Sequence, residues 1–273
     1  MDFDISRISV PFRMQPDLRR LPADDVFAHR LEPATPLHTT KASVVAAGEA
    51  FHCVQGFDGR PALDVLSRLV RASDPNAVMD DSAGQKDRAL AMALAIEEDF
   101  AVLDLDSGRV PLLCVCVPSR WAPEDKLGQS LLDIHAPVAD NLRLLAATQS
   151  ILGLLRTGQS WERHVWTISP SASYDLHPRR MPAPTWPDAA DPAEFAARCH
   201  LRVEQQTLVP AGHQCLFMIR VMLTPLTQAV RGADDARHLR NALRSMSDAV
   251  LAYKNLGVAR EPLCRWLDSR ADN

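Results

Sequence analysis

One histidine in this chain stands where a ligand would be held still. His135 lies in "VPSRWAPEDKLGQSLLDIHAPV" (Val117 to Val138), after an apolar helical turn and ahead of Ala136-Pro137. A proline pushes the residue before it toward an extended conformation, so stiff backbone should fix the ring at the mouth of a core-facing helix. A neutral imidazole so placed can ligate a metal through one nitrogen while the other donates to a carbonyl. The competing reading is a histidine that caps the last carbonyls of its own helix. His29, His38 and His52 lie in or near the N-terminal stretch, and His238 on the polar side of a helix, where solvated or structural roles suffice. His164 and His213 stand next in line as ligands.

A second group sits in strand-like runs. In "LRVEQQTL" Arg202, Glu204 and Gln206 share one strand face, with Leu201, Val203 and Gln205 on the other. An Arg–Glu pair on an open face is a solvated salt bridge of little worth. Over a pocket, the arginine can clamp a carboxylate bidentately and the glutamate can meet a cation. "WERHVW" puts Trp161 and Arg163 on one face in the same way, ahead of Trp166.

The bulk numbers exclude several functions. The chain has 273 residues, 47% hydrophobic and 23% charged, with a net charge of −4, which suits a globular protein and gives no reason to expect nucleic acid. No apolar stretch approaches the roughly 20 residues that span a bilayer. The N-terminus carries two acids and no apolar signal core, so a cytoplasmic protein is expected. Six scattered cysteines with no CxxC pair read as buried free thiols, including Cys114 and Cys116, which share a strand face. No glycine-rich phosphate loop, GxSxG elbow or HExxH motif is present.

The elements that must position these residues follow from periodicity. The first 45 residues, rich in proline and charge, read as an irregular arm. Helices are expected over Arg60–Ser73 and within "KDRALAMALAIEED", and another from near Pro123 with Leu127, Leu131 and Ile134 on its apolar side. A long helix follows from about Asp140 to Thr157 with a stripe of Leu144, Ala147, Ile151, Leu154 and Leu155. Strands are expected at Phe100–Leu105, Val110–Val117, His164–Ser169, Leu201–Val209 and Gln214–Leu223. "MPAPTWPDAADPAEF" reads as a surface loop, and the region from about 224 to 270 as helical. Hairpins separated by helix pairs, without a βαβ rhythm, predict one α+β domain over residues 1–273 built on an antiparallel sheet.

The segments "PFRMQPDLRRL", "VPSRWAPEDKLGQSLLDIHAPV", "WERHVW", "LHP", "LRVEQQTL" and "AYKNL" also occur in an order that resembles the haem-dependent oxidative N-demethylase family, from about residue 9 to about 267. The resemblance implies a PAS-like antiparallel sheet enclosing b-type haem. It also implies dioxygen activation at the iron, a small N-methylated amine as substrate, and electrons from flavin reductase and ferredoxin-type partners. It makes His135 the axial ligand, Lys126, Arg163, Trp166 and Arg202 the cofactor-binding set, and Glu204 with Arg202 the catalytic pair. The chain departs from the family pattern at Val165, Gln205 and Met222. Those departures keep a second reading open: a haem-binding PAS-like sensor or accessory subunit without oxidative turnover.

Overall fold

The computed structural model describes residues 3–271, the side chains of Arg143 and Leu144 excepted. In chain order the elements are β1 (Arg19–Leu21), α1 (Pro36–Ala46), β2 (Phe51–Cys53), α2 (Arg60–Ser73), α3 (Gln85–Ala95), β3 (Asp99–Asp104), β4 (Arg109–Cys114), α4 (Leu131–His135) and α5 (Leu142–Leu155). They continue with β5 (Ser160–Ser169), α6 (Pro192–Ala197), β6 (His200–Ala211), β7 (Gln214–Pro225), α7 (Leu226–Ala229), α8 (Ala233–Arg244), α9 (Asp248–Tyr253) and α10 (Arg260–Ala271). The strands form one seven-stranded sheet in the order β1-β5-β6-β7-β3-β4-β2, every neighbouring pair antiparallel. The architecture is α+β. Among the described residues no helix is long and apolar enough to cross a membrane.

Strand alternation divides the apolar residues between two layers. On one face, Phe100, Val102, Leu112, Cys114, Leu216 and Met218 pack against the buried sides of α1, α2 and α3. Toward the β5–β6 end of that face, Trp166, Ile168, Leu201 and Val203 meet α6, α8, α9 and α10. The opposite face carries Ala101, Leu103, Leu113, Leu208 and Cys215, which pack against Ile151, Leu152 and Leu155 of α5. Helices thus cover one face fully and the other only in part. The uncovered part becomes the floor of a cavity.

The five long strands lie where their apolar runs predict. Two short edge strands, β1 and β2, and the helix α1 were not expected; α1 falls in what composition describes as an irregular arm. The helix expected from Pro123 is broken. Pro123–Asp125 forms a 3-10 turn, Gly128 takes a left-handed φ of +70°, and the Gly128 N–H donates to the Val110 carbonyl at 2.8 Å, so a helical turn begins only at Leu131. The stripe of α5 turns by one position: Leu152 is buried and Leu154 is exposed, while Leu144 lies outside the described side chains.

Helix α1 is fastened by a charge. Lys41 is fully buried, and its Nζ donates to the carbonyls of Ile96, Glu97 and Glu98 at 3.0, 3.2 and 2.8 Å. It also lies 3.2 Å from Asp99 Oδ1. The other carboxylate oxygen of Asp99 accepts from the N–H groups of Cys116 and Val117 at 2.9 and 2.7 Å. One buried pair therefore joins α1, the start of β3 and the segment that leaves β4. Removing one partner of such a pair strands the other charge. Lys41→Met is expected to destabilise the fold by about 3 kcal/mol, read from urea unfolding midpoints at unchanged m-value.

Five of the six cysteines are buried, Cys53 is half-buried, and all are free thiols. Burial pushes the Cys116 thiol up to about 12 and that of Cys114 well above its ordinary value. They are packing residues.

Candidate functional site

The uncovered floor of the sheet opens into a cavity of about 670 Å3. Cross-strand register builds the floor. Arg163 faces Gln206, Val165 faces Glu204 and Thr167 faces Arg202 across β5 and β6, all on the cavity side. Phe217 and Ile219 of β7 and Ala101 and Leu103 of β3 extend it as an apolar surface. The walls come from far apart in sequence: Phe12 to Arg19 of the arm, Ser119 to Trp121, Lys126, His135, Leu176, and Tyr253 to Asn255. Every one of the six segments quoted above contributes to this one space.

His135 ends α4, a short turn closed by a capping box between Ser130 and Asp133. Contrary to expectation, Ala136 is helical (φ −56°, ψ −38°) rather than extended before its proline. The penalty ahead of proline is offset locally. The Ala136 N–H donates to Leu132 O at 2.9 Å, and the Asn141 side-chain amide donates to the carbonyls of His135 and Ala136 at 3.2 and 2.7 Å. Asn141 thus caps this turn, and the imidazole is spared that task. The ring lines the cavity, and its Nδ1 is buried without a hydrogen-bond partner. Burial first, then the Arg163 guanidinium and Lys126, push its pKa down to about 4, with a contact to the Leu131 backbone acting weakly the other way. The ring is neutral at neutral pH and lines the cavity, with Nδ1 turned into the protein beside the Leu131 backbone.

A short polar relay crosses the floor. Arg163 Nε donates to Gln206 Oε1 at 2.6 Å, and Gln206 Nε2 donates to Glu204 Oε2 at 2.7 Å. The terminal N–H groups of Arg163 have no hydrogen-bond partner among the described residues. Burial depresses the guanidinium, and Glu204, Asp17 and Tyr253 counter it. Gln206 holds the arginine and the glutamate at a fixed spacing. Strand parity put it on the right face, but nothing in its residue type singled it out.

Arg202 shares the floor but not this freedom. It is 2% exposed, and it donates to Ser119 Oγ at 2.7 Å and to the carbonyls of Ser173, Val117 and Tyr174 at 3.1, 3.1 and 2.8 Å. Four of its five N–H groups are spent on tying two loops to β6. Its geometry is that of a positioning residue.

The "DLHPRR" loop is locked to the same wall. His177 Nδ1 accepts from the Arg179 N–H at 3.1 Å, which leaves Nε2 as the protonated nitrogen that donates to Glu124 Oε2 at 3.1 Å. Arg179 bridges Glu124 and Asp125, and Arg180 binds Asp175 and the Cys116 carbonyl. The segment carrying Ser119, Trp121 and Lys126 is thereby braced. Lys126 lines the cavity close enough to His135 for its charge to act on the ring.

Trp166 is placed differently from Arg163 and Glu204. Alternation sends its ring to the helical face, where it is 6% exposed and meets Phe12 edge-on at 5.7 Å. Its carbonyl points to the outer edge of β5, which β1 covers only at Ser160–Glu162. Lys254 fills that gap. Its Nζ donates to Trp166 O at 2.7 Å and lies 5.2 and 5.7 Å from the centres of the Phe12 and Trp166 rings. Burial pushes this lysine down to about 8. The cavity curls around this open strand edge, so Trp166 borders it while packing elsewhere. The loop tryptophan Trp186, expected on the surface, also belongs here: its ring stacks on Phe195 and its N–H donates to Asn255 O at 2.9 Å.

On that same edge, His164 is pushed down to about 4 by burial, with Arg7 and Arg19 adding to it, although Glu162 lies 3.2 Å away. An unfolded histidine takes its proton near 6.5, so the unfolded state binds more protons between the two values and stability falls as pH drops through that window. His164→Gln is expected to flatten the wild-type loss of stability between pH 6.5 and pH 4, measured by urea unfolding at both pH values.

Two departures from the family pattern lie off the cavity. Gln205 and Met222 are on the helical face, Met222 packed against its core, and only Val165 is on the cavity floor, opposite Glu204.

No curated protein matches the chain. A family model does: that of the haem-dependent oxidative N-demethylase, alpha subunit-like proteins matches residues 67–264, which span most of the sheet, α4, α5 and the loops that build this cavity. The chain belongs to the haem-dependent oxidative N-demethylase, alpha subunit-like family.

Proposed function

We propose that the chain is a haem-dependent oxygenase that removes a methyl group from a small N-methylated amine and releases formaldehyde. The observation that carries this reading is the neutral His135 imidazole, free of any capping duty, on the wall of a cavity large and apolar enough for a macrocycle. Among the described residues no group of three or more His, Cys, Asp or Glu side chains could hold a bare ion, so a lone imidazole suits a metal whose other ligands come from a porphyrin. The residues present fit haem b. His135 would hold the iron, and Phe217, Ile219 and Leu103 would meet the ring. Lys126 supplies charge for a propionate.

Haem, once bound, supplies dioxygen activation, with electrons from flavin reductase and ferredoxin-type partners. The chain's part is to bind and orient. Glu204, fixed by Gln206, offers Oε1 to a protonated amine and can accept its proton. Arg163 clamps a carboxylate with its free terminal N–H groups. Arg202 and the His177–Arg179 brace keep the wall rigid. The oxidised methyl group leaves as formaldehyde when the N–CH2OH adduct splits, returning the shorter amine.

The sensor reading loses support, because Gln205 and Met222 do not face the cavity. The test is oxygen uptake and formaldehyde release by haem-loaded protein with a reductant, across a panel of methylamines. Amine-dependent formaldehyde is expected. A stable oxygen adduct that no amine accelerates would return the reading to the sensor.

A further inference from the structure

The charges around the cavity are unequal. Its lining holds eight cations, Arg7, Arg13, Arg19, Arg120, Lys126, Arg163, Arg202 and Lys254, against two carboxylates, Asp17 and Glu204. Two ionised haem propionates would leave that lining still positive. At the rim Arg7 is paired with Glu162 at 3.7 Å, while Arg13, Arg19 and Arg120 form no ion pair among the described residues and face a single acid, Asp17. The whole chain is acidic at −4, so this is a local field. Low-dielectric walls focus such a field and concentrate anions at the mouth. A small dialkylammonium ion would meet it as a like charge.

The floor offers two opposite handles at a fixed separation. Arg163 and Gln206 are direct cross-strand partners, and Glu204 lies two residues along β6 from Gln206. Diagonal neighbours of this kind sit about 7–8 Å apart at the backbone, within reach of one small molecule held between longer side chains. Gln206 bonds both and leaves the terminal N–H groups of Arg163 and Oε1 of Glu204 unspent.

We propose that the amine taken by this site also carries a carboxylate: an N-methylated α-amino acid, with its carboxylate on Arg163 and its ammonium on Glu204. This rests on the demethylase reading and narrows its substrate class. The rim arginines steer such a zwitterion by its acid end and Glu204 receives its amine end. A simple dialkylamine has no group for Arg163.

The test is calorimetric titration of the full chain, with haem and as apoprotein, using N,N-dimethylglycine, dimethylamine and acetate at low ionic strength. N,N-dimethylglycine is expected to bind at least tenfold tighter than either of the others, with an affinity that falls as salt is raised. Arg163→Gln, its fold checked by circular dichroism, is expected to weaken N,N-dimethylglycine at least tenfold more than dimethylamine; equal weakening of both would mean a merely structural arginine and overturn the assignment. Dimethylamine binding as tightly as N,N-dimethylglycine would overturn the proposal, as would acetate doing so or no binding by any probe. Haem uptake followed by its Soret band separates the two readings. Haem bound without the carboxylate preference removes only this inference, and haem refused altogether removes the demethylase reading, while the apoprotein titration still decides the ligand class.

Discussion

Protein carrying His135→Ala is expected to lose its haem on desalting, or to show a shifted Soret band, while His38→Ala and His238→Ala keep the wild-type spectrum. The contrast follows from what each ring touches. His238 Nε2 is bonded to the Ile8 carbonyl at 2.6 Å, where it holds the arm against α8, and His38 sits in the first turn of α1, remote from the cavity lining. His135 alone of the three lines the cavity with an unpartnered nitrogen. With His135 as the residue that would hold the iron, its deletion would remove that bond, and retention should fall to background. Added imidazole should restore the wild-type band to His135→Gly, since the space left by the ring is the right size for it. An unchanged spectrum in His135→Ala would send the search to His164, whose ring also borders the cavity.

Glu204→Gln is expected to reduce amine-dependent formaldehyde release on the order of a hundredfold while haem content stays near wild type. An amide is the same shape and can still accept from Gln206 Nε2, so the floor should not rearrange. It cannot pair with an ammonium or take a proton, and those are the functions assigned to this carboxylate. Stopped-flow rates with parallel pyridine haemochrome quantification would separate the two effects. A parallel loss of haem and turnover would instead make Glu204 a structural residue of the pocket.

Much of this was legible in the residues, and the misses have identifiable causes. Apolar runs, continuous where both faces are buried as in β4, revealed β3 to β7, because such burial leaves a strong signal over six or more residues. The edge strands β1 and β2 have three residues each, too few for any period to show. Helix α1 lacks a clean apolar stripe, because a buried lysine is its anchor. Parity placed Arg202, Glu204 and Gln206 on one face of their strand and Trp161 with Arg163 on one face of theirs, but only the register between β5 and β6 brings the two sets together. Parity could not show that Arg202 is consumed by carbonyls, since those carbonyls lie 28 to 85 positions away in the chain. Lys254 and Asp17 reach the cavity by the same long-range folding; they stand in the quoted segments "AYKNL" and "PFRMQPDLRRL", but no periodicity gives them a face.

The four bonds of Arg202 have a kinetic consequence. The loops at Val117–Ser119 and Ser173–Tyr174 are sewn to the same buried guanidinium, and His177 and Arg179 sew the neighbouring turn to Glu124 and Asp125. That wall can part only by exposing a whole set of buried donors at once, so it should breathe rarely. The opposite wall, the arm with α4 and α5, meets the sheet through the apolar side chains of Leu18, Leu131, Ile134, Ile151, Leu152 and Leu155. A bulky guest is expected to enter and leave on the side of the arm and α4, where apolar packing yields more readily than a set of buried bonds. Amide exchange should divide the cavity accordingly, slow along one bank and fast along the other.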